Sequence, residues 1–586
     1  MLGDETTNSV RAALARGDLL AAYDEVARGK ELGHRGLDYL EVLTLARLGD
    51  TERGLRLYET YRLASMGDVD ALSLKARLLK DEAFASGLAP NREKLLQACA
   101  LYAAVYRRTR SSYPAINAAT LARIGGRSRL ANALAGVVVE QHSSEGRQDY
   151  FSLATLAEAL VVLGDIDGAA AALSRAVRAP DADVGSRSTT FLQLQRLVSA
   201  SYDAEELKGL LEPVRPPKVA MFCGNIFVGY PELEARLAAD MRQVIVDEKV
   251  GFAYGALAAG SDILIAEQLI DAGVELHIVL PFAEADFLTQ SVAPSGEEWV
   301  RRYAGCKARA ASLTLASNMS FVGEQAQFAY GSKVTMGMAM LRARHLNGDS
   351  IQLAVVEAEG TGTLSGSDIA AWGAAGGRSA VLRADRLQRP VKPPPPPESV
   401  VKRGTYGLMF SDFPGFTGLD ERALPIFWEE VMGRAATALE RYEDVIRERN
   451  TWGDALYVVF EDARSTAAAA LDLSEEFGKV DCKALGVPEG TAMRIALHYG
   501  TTYFGHDPVS RRTTYYGSEV SRAARIEPVT PSGSVYVTEP FAAVLEMEAD
   551  HPFTCNYVGK TELAKGYGVY PLYRLRRDPM MTSDDL

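Results

Sequence analysis

The first 210 or so residues place apolar side chains at the spacing of amphipathic helices, and they are rich in Ala, Leu and Arg. Three segments echo one another, and each places a Gly-Asp pair between two helical runs: Gly17-Asp18, Gly49-Asp50 and Gly164-Asp165. Glycine adopts the left-handed conformation that ends a helix, and an aspartate side chain caps the helix that follows. The pattern predicts stacked helix-turn-helix units over residues 1–212.

The first two pairs lie 32 residues apart, close to the tetratricopeptide period, and the region resembles a tetratricopeptide (TPR) repeat array. The segment Tyr113–Gly126 also resembles the helical region called TRAFs-binding. These resemblances imply a surface for a protein partner or for dimerisation. A helical array that only packs on the rest of the chain would show the same pattern.

From Pro217 the pattern changes to short apolar runs that alternate with amphipathic helices. Val219–Cys223 and Glu275–Pro281 have the length of strands, and a helix is predicted over Glu232–Val246. Runs this apolar are typical of a parallel sheet that is covered on both faces. The alternation predicts a Rossmann-like α/β domain over residues 217–388.

Two glycine-rich turns mark this predicted domain. Gly224 follows the first strand, and Gly255, Gly260 and Ser261 precede a helix. The second turn, with the helix and strand after it, resembles the SLOG superfamily of Rossmannoid domains, which sense nucleotide derivatives. The resemblance implies that all four residues line a phosphate or ribose site, because amides at a helix N-terminus suit an anion. A tight chain reversal would require the same glycines without any ligand.

Residues 389–403 contain five consecutive prolines, Pro393–Pro397. Proline has no amide donor and favours polyproline II, so the segment is predicted to be a semi-rigid linker. An SH3-type ligand has the same composition. A third domain is predicted over residues 404–578.

Composition narrows the function classes. A length of 586 residues requires several domains, and 47% hydrophobic with 24% charged residues is ordinary for globular proteins. The net charge of −13 argues against a protein that coats nucleic acid. Five scattered cysteines without a CxxC pair indicate a reducing compartment. No signal peptide and no apolar run of membrane-spanning length is evident, so we expect a cytoplasmic protein without nucleic-acid or membrane partners.

The third domain carries two aspartates in a pattern that suits metal binding. A predicted strand delivers Asp412 to its end, and Asp454 follows 42 residues later in a predicted hairpin. Carboxylates at the ends of adjacent strands bind a pair of divalent cations, here two Mg²⁺ or Mn²⁺. Gly415, Phe416 and Thr417 are predicted to open the next helix, where backbone amides hold phosphates.

Five short motifs follow one another over about 170 residues. They are DFPGFT from Asp412, the pair Gly453-Asp454, RIALHYG from Arg494, GSEVSRAARIE from Gly517 and AKGYG from Ala564. In this order they resemble the class III adenylate/guanylate cyclase family. The resemblance implies an α+β, ferredoxin-like catalytic domain that converts a nucleoside triphosphate to a 3′,5′-cyclic nucleotide and pyrophosphate.

The resemblance also implies roles for single residues. Asp412 and Asp454 match the two metal ligands, and Arg525 matches the arginine that stabilises charge on the α-phosphate. Lys565 matches the lysine that contacts the triphosphate. Ser521 stands where most members have an asparagine that orients the ribose.

In this family the active site forms between two domains. The metal ligands come from one domain, and the residues for base, ribose and phosphate come from the other. This chain has one such domain with both sets, so the resemblance implies a homodimer.

Asn450 and Thr514 fall at the two base-selecting positions. Both are uncharged, whereas adenylate-specific members typically have lysine and aspartate and guanylate-specific members have glutamate and a small residue. Asparagine donates and accepts, so it does not discriminate by itself. Threonine at the second position is familiar in bacterial adenylate cyclases and favours ATP. A GTP or pyrimidine nucleotide cyclase remains an alternative.

A catalytically weak, cyclase-like scaffold that binds nucleotide is a second alternative, because Ser521 is shorter than asparagine. We expect the domains before residue 404 to regulate the cyclase. In that hypothesis the middle domain senses a nucleotide-derived ligand, and the helical region binds a protein partner.

Overall fold

The computed structural model describes residues 2–85, 87–201, 208–228, 231–357, 364–384, 387–390, 402–548 and 551–578. The prolines of the predicted linker lie outside these ranges. The chain forms two compact units. The first holds the residues before Pro217 together with Arg344–Gly348, and the second holds Pro217–Ala343 with Asp349–Arg577. The predicted middle and third domains therefore belong to one unit.

The first unit is helical, as the apolar spacing predicts. Its core is built mainly from alanine and leucine side chains that the helices bury against one another. Its helices are α1 (Leu2–Ala15), α2 (Leu19–Glu31), α3 (Asp38–Leu48), α4 (Thr51–Thr60), α5 (Val69–Ala83), α6 (Arg92–Thr109), α7 (Ser112–Ile124), α8 (Ser128–Glu145), α9 (Tyr150–Leu163), α10 (Ile166–Ala176), α11 (Val184–Ser201) and α12 (Lys208–Leu211).

The Gly-Asp pairs end one helix and begin the next. Gly49 and Gly164 have φ of +81° and +88°, which is the left-handed region that glycine adopts without strain. The next residue in each pair caps the following helix: Asp50 accepts a hydrogen bond from the amide of Arg53, and Asp165 accepts one from the amide of Gly168. Both predicted functions of the pair are confirmed.

The second unit begins with a six-stranded parallel sheet in the order β4-β3-β2-β1-β5-β6. Apolar residues from the strands and from the helices between Pro231 and Arg309 form its core. The strands and helices are β1 (Lys218–Gly224), α13 (Pro231–Asp247), β2 (Val250–Gly255), α14 (Ser261–Asp271), β3 (Glu275–Leu280), α15 (Glu284–Ser291), α16 (Glu297–Arg309), β4 (Ser312–Leu315), α17 (Gln325–His345), β5 (Ser350–Glu357), α18 (Leu364–Ala374) and β6 (Arg378–Ala384).

The strand order of this sheet reverses between β1 and β5. In doubly wound sheets the carboxyl ends of the strands at such a point border a crevice in which ligands bind. The fold prediction for this region is confirmed.

The unit continues with a sheet in the order β13-β14-β12-β10-β7-β9-β8, with β11 paired to β10. The part β10-β7-β9-β8 is antiparallel and has the ferredoxin-like arrangement that the resemblance implies. The elements are β7 (Lys402–Asp412), α19 (Leu424–Phe427), α20 (Gly433–Glu440), β8 (Ile446–Trp452), β9 (Ala455–Phe460), α21 (Ala463–Phe477), α22 (Cys482–Leu485), β10 (Arg494–His506), β11 (Thr513–Tyr516), α23 (Ser518–Ile526), β12 (Val535–Thr538), α24 (Glu539–Glu546), β13 (Phe553–Glu562) and β14 (Val569–Arg577).

The segment after Asp412 differs from the prediction. Gly415, Phe416 and Thr417 do not open a helix, because Phe416–Gly418 forms a single 3₁₀ turn. Gly415 has a φ of +93°, which no helix accommodates. The helix starts later, at Leu424, and contains a π-helical segment at Trp428–Met432.

Across the described ranges, no helix has both the length and the apolar character needed to cross a membrane.

Candidate active site

Asp412 and Asp454 lie next to each other at one edge of the second sheet. Asp412 ends β7, and Asp454 sits in the tight turn between β8 and β9, where Gly453 has a φ of +64°. Burial, together with repulsion from Asp412, raises the pKa of Asp454 to about 6, although the amide of Phe413 donates to its carboxylate. Two carboxylates held this close attract a cation.

Arg494 neutralises part of this charge within the chain. It pairs with Asp412 across the β7–β10 register, and its Nη2 donates to Asp412 Oδ2 at 2.7 Å. Arg494 also forms an ion pair with Glu527, which directly follows α23. The pKa of Glu527 is raised to about 7, because burial and repulsion from the two aspartates together outweigh the opposing effect of Arg494. Arg494 and Glu527 had no assigned function in the sequence pattern.

The donor set fits divalent cations of the Mg²⁺ or Mn²⁺ type, because it consists of carboxylate oxygens whose mutual repulsion a cation would relieve. No group of three or more His, Cys, Asp or Glu side chains forms a metal cluster anywhere in the described ranges. A metal site here would therefore rest on Asp412 and Asp454, with the remaining ligands from substrate and water.

Helix α23 presents Ser521 and Arg525 on one face, four residues apart. Ser521 is exposed and Arg525 is half-buried. Lys565 is exposed in the turn between β13 and β14, with a φ of +63°. The hydroxyl of Tyr567 in that turn donates to the carbonyl of Ser518 at 3.1 Å, which ties the turn to the start of α23. Among the described residues, neither Arg525 nor Lys565 has an ion-pair partner.

Glu448 connects Thr514 to the strand that carries Asn450, and it lies two residues before Asn450 on the same face of β8. Thr514 Oγ1 donates to Glu448 Oε1 at 3.1 Å, and the amide of Tyr515 donates to Glu448 Oε2 at 2.8 Å. The Oδ1 of Asn450 accepts from the amide of Thr451 at 2.9 Å. Glu448 thus contacts a predicted site residue, and the sequence motifs did not single it out.

The predicted site residues therefore form separate groups in one chain. Within the described ranges, no hydrogen bond or ion pair joins the aspartate pair directly to the members of the other groups. Those members are Asn450, Thr514, Ser521, Arg525 and Lys565.

The first sheet borders a cavity of about 590 Å³ at the strand-order reversal. Its polar lining includes Asn225, Asp262 and Asp368, and Phe321 and Phe328 contribute apolar walls. Burial raises the pKa of Asp262 to about 7 and that of Asp368 to about 6.

The four residues predicted for a ligand at this sheet have different surroundings. Gly224 lines the cavity. Ser261 is fully buried, and its hydroxyl donates to the carbonyls of Asn225 and Val355. A side chain at Gly255 would collide with the ring of Phe222, and one at Gly260 would collide with the backbone of Phe227. A side chain at Gly224 would likewise collide with Ser261 and with the carbonyl of Val355, so close packing accounts for all four positions.

Comparison with known proteins agrees with this architecture at both ends of the chain. Residues 400–577 match the adenylate and guanylate cyclase catalytic domain, and residues 18–122 match the tetratricopeptide repeats-sensor family. The chain thus carries a class III cyclase catalytic domain in its last third and a TPR-type region near its start.

Among curated proteins, the chain is 25% identical over 178 residues to an adenylate cyclase of Podospora anserina, which is 25% of this chain and 8% of that protein. It is 24% identical over 185 residues to an adenylate cyclase of Schizosaccharomyces pombe, which is 27% of this chain and 10% of that protein. The chain thus spans a small part of these relatives.

Similar solved structures include the adenylyl cyclase CyaB from P. aeruginosa. It is 20% identical with a TM-score of 0.27, and the match covers 31% of this chain and 99% of that one. The guanylate cyclase domain of RhGC from Catenaria anguillulae, solved with GTP, is 18% identical with a TM-score of 0.26. The match covers 30% of this chain and 98% of that one.

Proposed function

We propose that the protein is a nucleotidyl cyclase that converts ATP to 3′,5′-cyclic AMP and pyrophosphate at a homodimer interface. The observation that carries the proposal is the repelling carboxylate pair Asp412 and Asp454, which occurs in a cyclase catalytic domain together with the unpaired cations Arg525 and Lys565. The ribose 3′-hydroxyl would release its proton to water and its oxygen would form a bond to the α-phosphorus, while the bond from that phosphorus to the pyrophosphate oxygen breaks.

The chain's own residues would position and neutralise the substrate. Arg525 would contact the α-phosphate, and Lys565 would contact the leaving pyrophosphate. Ser521, one turn before Arg525, would contact the ribose. Divalent cations held by Asp412 and Asp454 would lower the pKa of the 3′-hydroxyl and neutralise the triphosphate.

The preference for ATP is supported by the hydrogen bonds of the two base-selecting residues. Thr514 donates its hydroxyl hydrogen to Glu448, so its lone pairs are left to accept from a base. Asn450 uses its Oδ1 on the amide of Thr451, so its Nδ2 is left to donate. Adenine offers an acceptor at N1 beside a donor at N6, which is the complementary pattern. Guanine offers the reverse at N1 and O6.

The homodimer is supported by the division of the site within one chain and by exposed aromatic residues on the same domain. Trp428 is 54% exposed and Trp452 is 59% exposed. Trp452 belongs to β8, the strand that carries Asn450. Aromatic residues are enriched in the cores of protein interfaces.

The regulatory part of the proposal concerns the cavity at the first sheet. We place the ligand of the middle domain there, in contact with Gly224, and we place a protein partner on the helical region. Five free cysteines support a cytoplasmic location.

Incubation of the full chain with each nucleoside triphosphate and Mg²⁺ or Mn²⁺, followed by mass spectrometry of the products, tests the function. We expect cyclic AMP as the main product and its loss in Asp454→Ala. The exposed Asp444→Ala is the matched control and should retain activity. If another cyclic nucleotide is the main product, the corresponding nucleoside triphosphate and not ATP is the substrate. If no cyclic product forms in any condition, the protein is the catalytically inactive scaffold.

A further inference from the structure

A buried carboxylate anchors the helix that carries Ser521 and Arg525. Glu519 is the second residue of α23 and is fully buried. It pairs with Arg522 at 3.1 Å and accepts a hydrogen bond from His498 Nε2 at 2.6 Å. Burial raises the pKa of Glu519, but Arg522 and the hydrogen-bond donors outweigh it and lower the pKa to about 2. The carboxylate is therefore ionised, and the loss of any of its hydrogen-bond donors would destabilise it in this buried position.

One of these donors comes from the first sheet of the same unit. Ser317 Oγ donates to Glu519 Oε1 at 2.5 Å across 202 residues of sequence. Ser317 is itself buried, and it lies two residues beyond the end of β4. The Ser317 hydroxyl, which follows the edge strand of the Rossmann-like sheet, thus completes the set of hydrogen-bond donors around the buried carboxylate of α23.

The next residue reaches a second catalytic element. Asn318 Nδ2 donates to the hydroxyl of Tyr570 at 3.0 Å. Tyr570 follows the turn that carries Lys565, and the guanidinium of Arg522 lies 5.3 Å from the centre of its ring. Two consecutive residues therefore contact α23 and the start of β14, the strand that follows the turn with Lys565.

The segment that contains these two residues, which we call the 316–324 loop, also forms a wall of the 590 Å³ cavity. Phe321 and Gly323 line that wall, and the helix that follows, α17, continues it with Phe328 and Ser332. A different face of α17 contacts the cyclase domain, where the hydroxyl of Tyr330 donates to the carbonyl of Tyr499 at 2.9 Å. The cavity and the catalytic helix are thus separated by one loop and one helix.

We propose that Ser317 and Asn318 are positioning residues for the cyclase site, and that filling the cavity changes turnover through the 316–324 loop. Neither residue is expected to touch the substrate. They act through Glu519 and Tyr570, which set the positions of Arg525 and Lys565. The effect on turnover rests on the proposed cyclase function, whereas the effect on the order of α23 does not.

Ser317→Ala in the full chain is the first test, with Ser320→Ala as its control, because Ser320 is an exposed serine in the same loop. For Ser317→Ala we expect kcat to fall about tenfold or more with KM for ATP changed less than about twofold, since small misplacements of a positioned group cost turnover. Hydrogen exchange followed by mass spectrometry should show faster exchange in residues 518–526. Ser320→Ala should change neither quantity.

Asn318→Ala is the second variant, and it removes an exposed side chain with little risk to folding. We expect faster exchange in residues 563–570 and a smaller fall in kcat. If kcat and exchange in both variants match the wild type, the positioning role is overturned. If the wild-type chain makes no cyclic nucleotide, the proposed function fails, while the exchange data still decide whether the loop orders α23.

The effect of the cavity is tested by filling it from a helix that lies outside the 316–324 loop and outside α17. Ser365 in α18 lines the cavity and is 6% exposed. Ser365→Trp should place an indole in the cavity without touching the cyclase domain, and Ala370→Trp puts the same side chain on the exposed face of α18. We expect Ser365→Trp alone to change kcat at least about threefold and to alter exchange in residues 518–526. Equal kcat and exchange in the two variants would overturn the coupling.

Discussion

Thr514 donates its hydroxyl hydrogen to Glu448, a residue on another strand, at 3.1 Å. The second carboxylate oxygen of Glu448 accepts a hydrogen bond from the amide of Tyr515. The hydroxyl of Tyr457 donates to the carbonyl of Tyr515 at 3.2 Å. β11 is thus held against β8 and β9 through the amide and the carbonyl of one residue, Tyr515. The orientation of the Thr514 hydroxyl follows from this arrangement.

Replacement of Glu448 by alanine is expected to reduce the preference for ATP over GTP about fivefold. The hydroxyl of Thr514 would be free to donate as well as to accept, and one hydrogen bond is worth about 1 kcal/mol. Values of kcat/KM for both nucleotides give the ratio. Glu443→Ala, an exposed position shortly before β8, serves as control. If kcat/KM falls equally for ATP and GTP, so that their ratio stays constant, Glu448 stabilises the fold and does not select the base.

Asp454→Asn is expected to separate activity from stability. Turnover should fall at least about 100-fold, because a neutral amide holds a divalent cation poorly. In EDTA at pH 8 the melting temperature should equal or exceed that of the wild type, since the substitution removes repulsion with Asp412. Activity assays and thermal unfolding measure the two effects. A large drop in melting temperature would contradict the interpretation of the aspartates as a functional pair.

The stability of the middle domain should depend on pH through Asp262. Its pKa is raised to about 7, because burial and repulsion from Asp368 outweigh the opposing hydrogen bond from the amide of Ala258. An unfolded aspartate titrates near 3.9, so between about pH 4 and pH 7 the folded state keeps a proton that the unfolded state has lost. Stability from this group is therefore present at low pH and is lost as pH rises through that window.

Asp262→Asn should remove this dependence. We expect a higher melting temperature than wild type at pH 8 and no difference at pH 4, because each pKa unit corresponds to about 1.4 kcal/mol. Thermal unfolding across this pH range is the measurement. Asp240→Asn, on an exposed face of α13, should follow the wild type at every pH. A lower melting temperature for Asp262→Asn at pH 8 would show that the carboxylate is needed in its charged form.

The sequence was sufficient to predict features that depend on local chemistry. The Gly-Asp pairs were predictable because glycine conformation and aspartate capping act within a few residues. The parallel sheet was predictable because its strands are apolar on both faces. The position of Asp412 at the end of its strand follows from the apolar run before it.

Contacts between distant segments were not predictable in the same way. Glu448 is one more charged residue on an exposed strand, and its function depends on where β11 returns. Ser317 and Glu519 are separated by 202 residues, and no periodicity connects them. The helix after Asp412 was placed too early because the positive φ of Gly415 outweighs the helical signal of the residues that follow.

The contact between α17 and α24 offers a test that changes no hydrogen-bonding group. A β-carbon on Gly337 would lie 1.8 Å from the carbonyl oxygen of Ala543, so the two helix backbones approach more closely than any other residue permits. Gly337→Ala must push α17 away from the cyclase domain. We expect a loss of about 1–3 kcal/mol in the free energy of unfolding.

Gly305→Ala is the matched control, because Gly305 also lies in a helix but a β-carbon there meets open space. It should be neutral or stabilising by up to about 1 kcal/mol. Chemical denaturation gives both values, and hydrogen exchange locates the change. Gly337→Ala should accelerate exchange in residues 325–343 and 539–546 together, because the substitution separates two surfaces that protect each other. Equal stability of the two variants would show that α17 does not contact α24 in solution, and the path from the cavity to the catalytic helix would then reduce to the 316–324 loop.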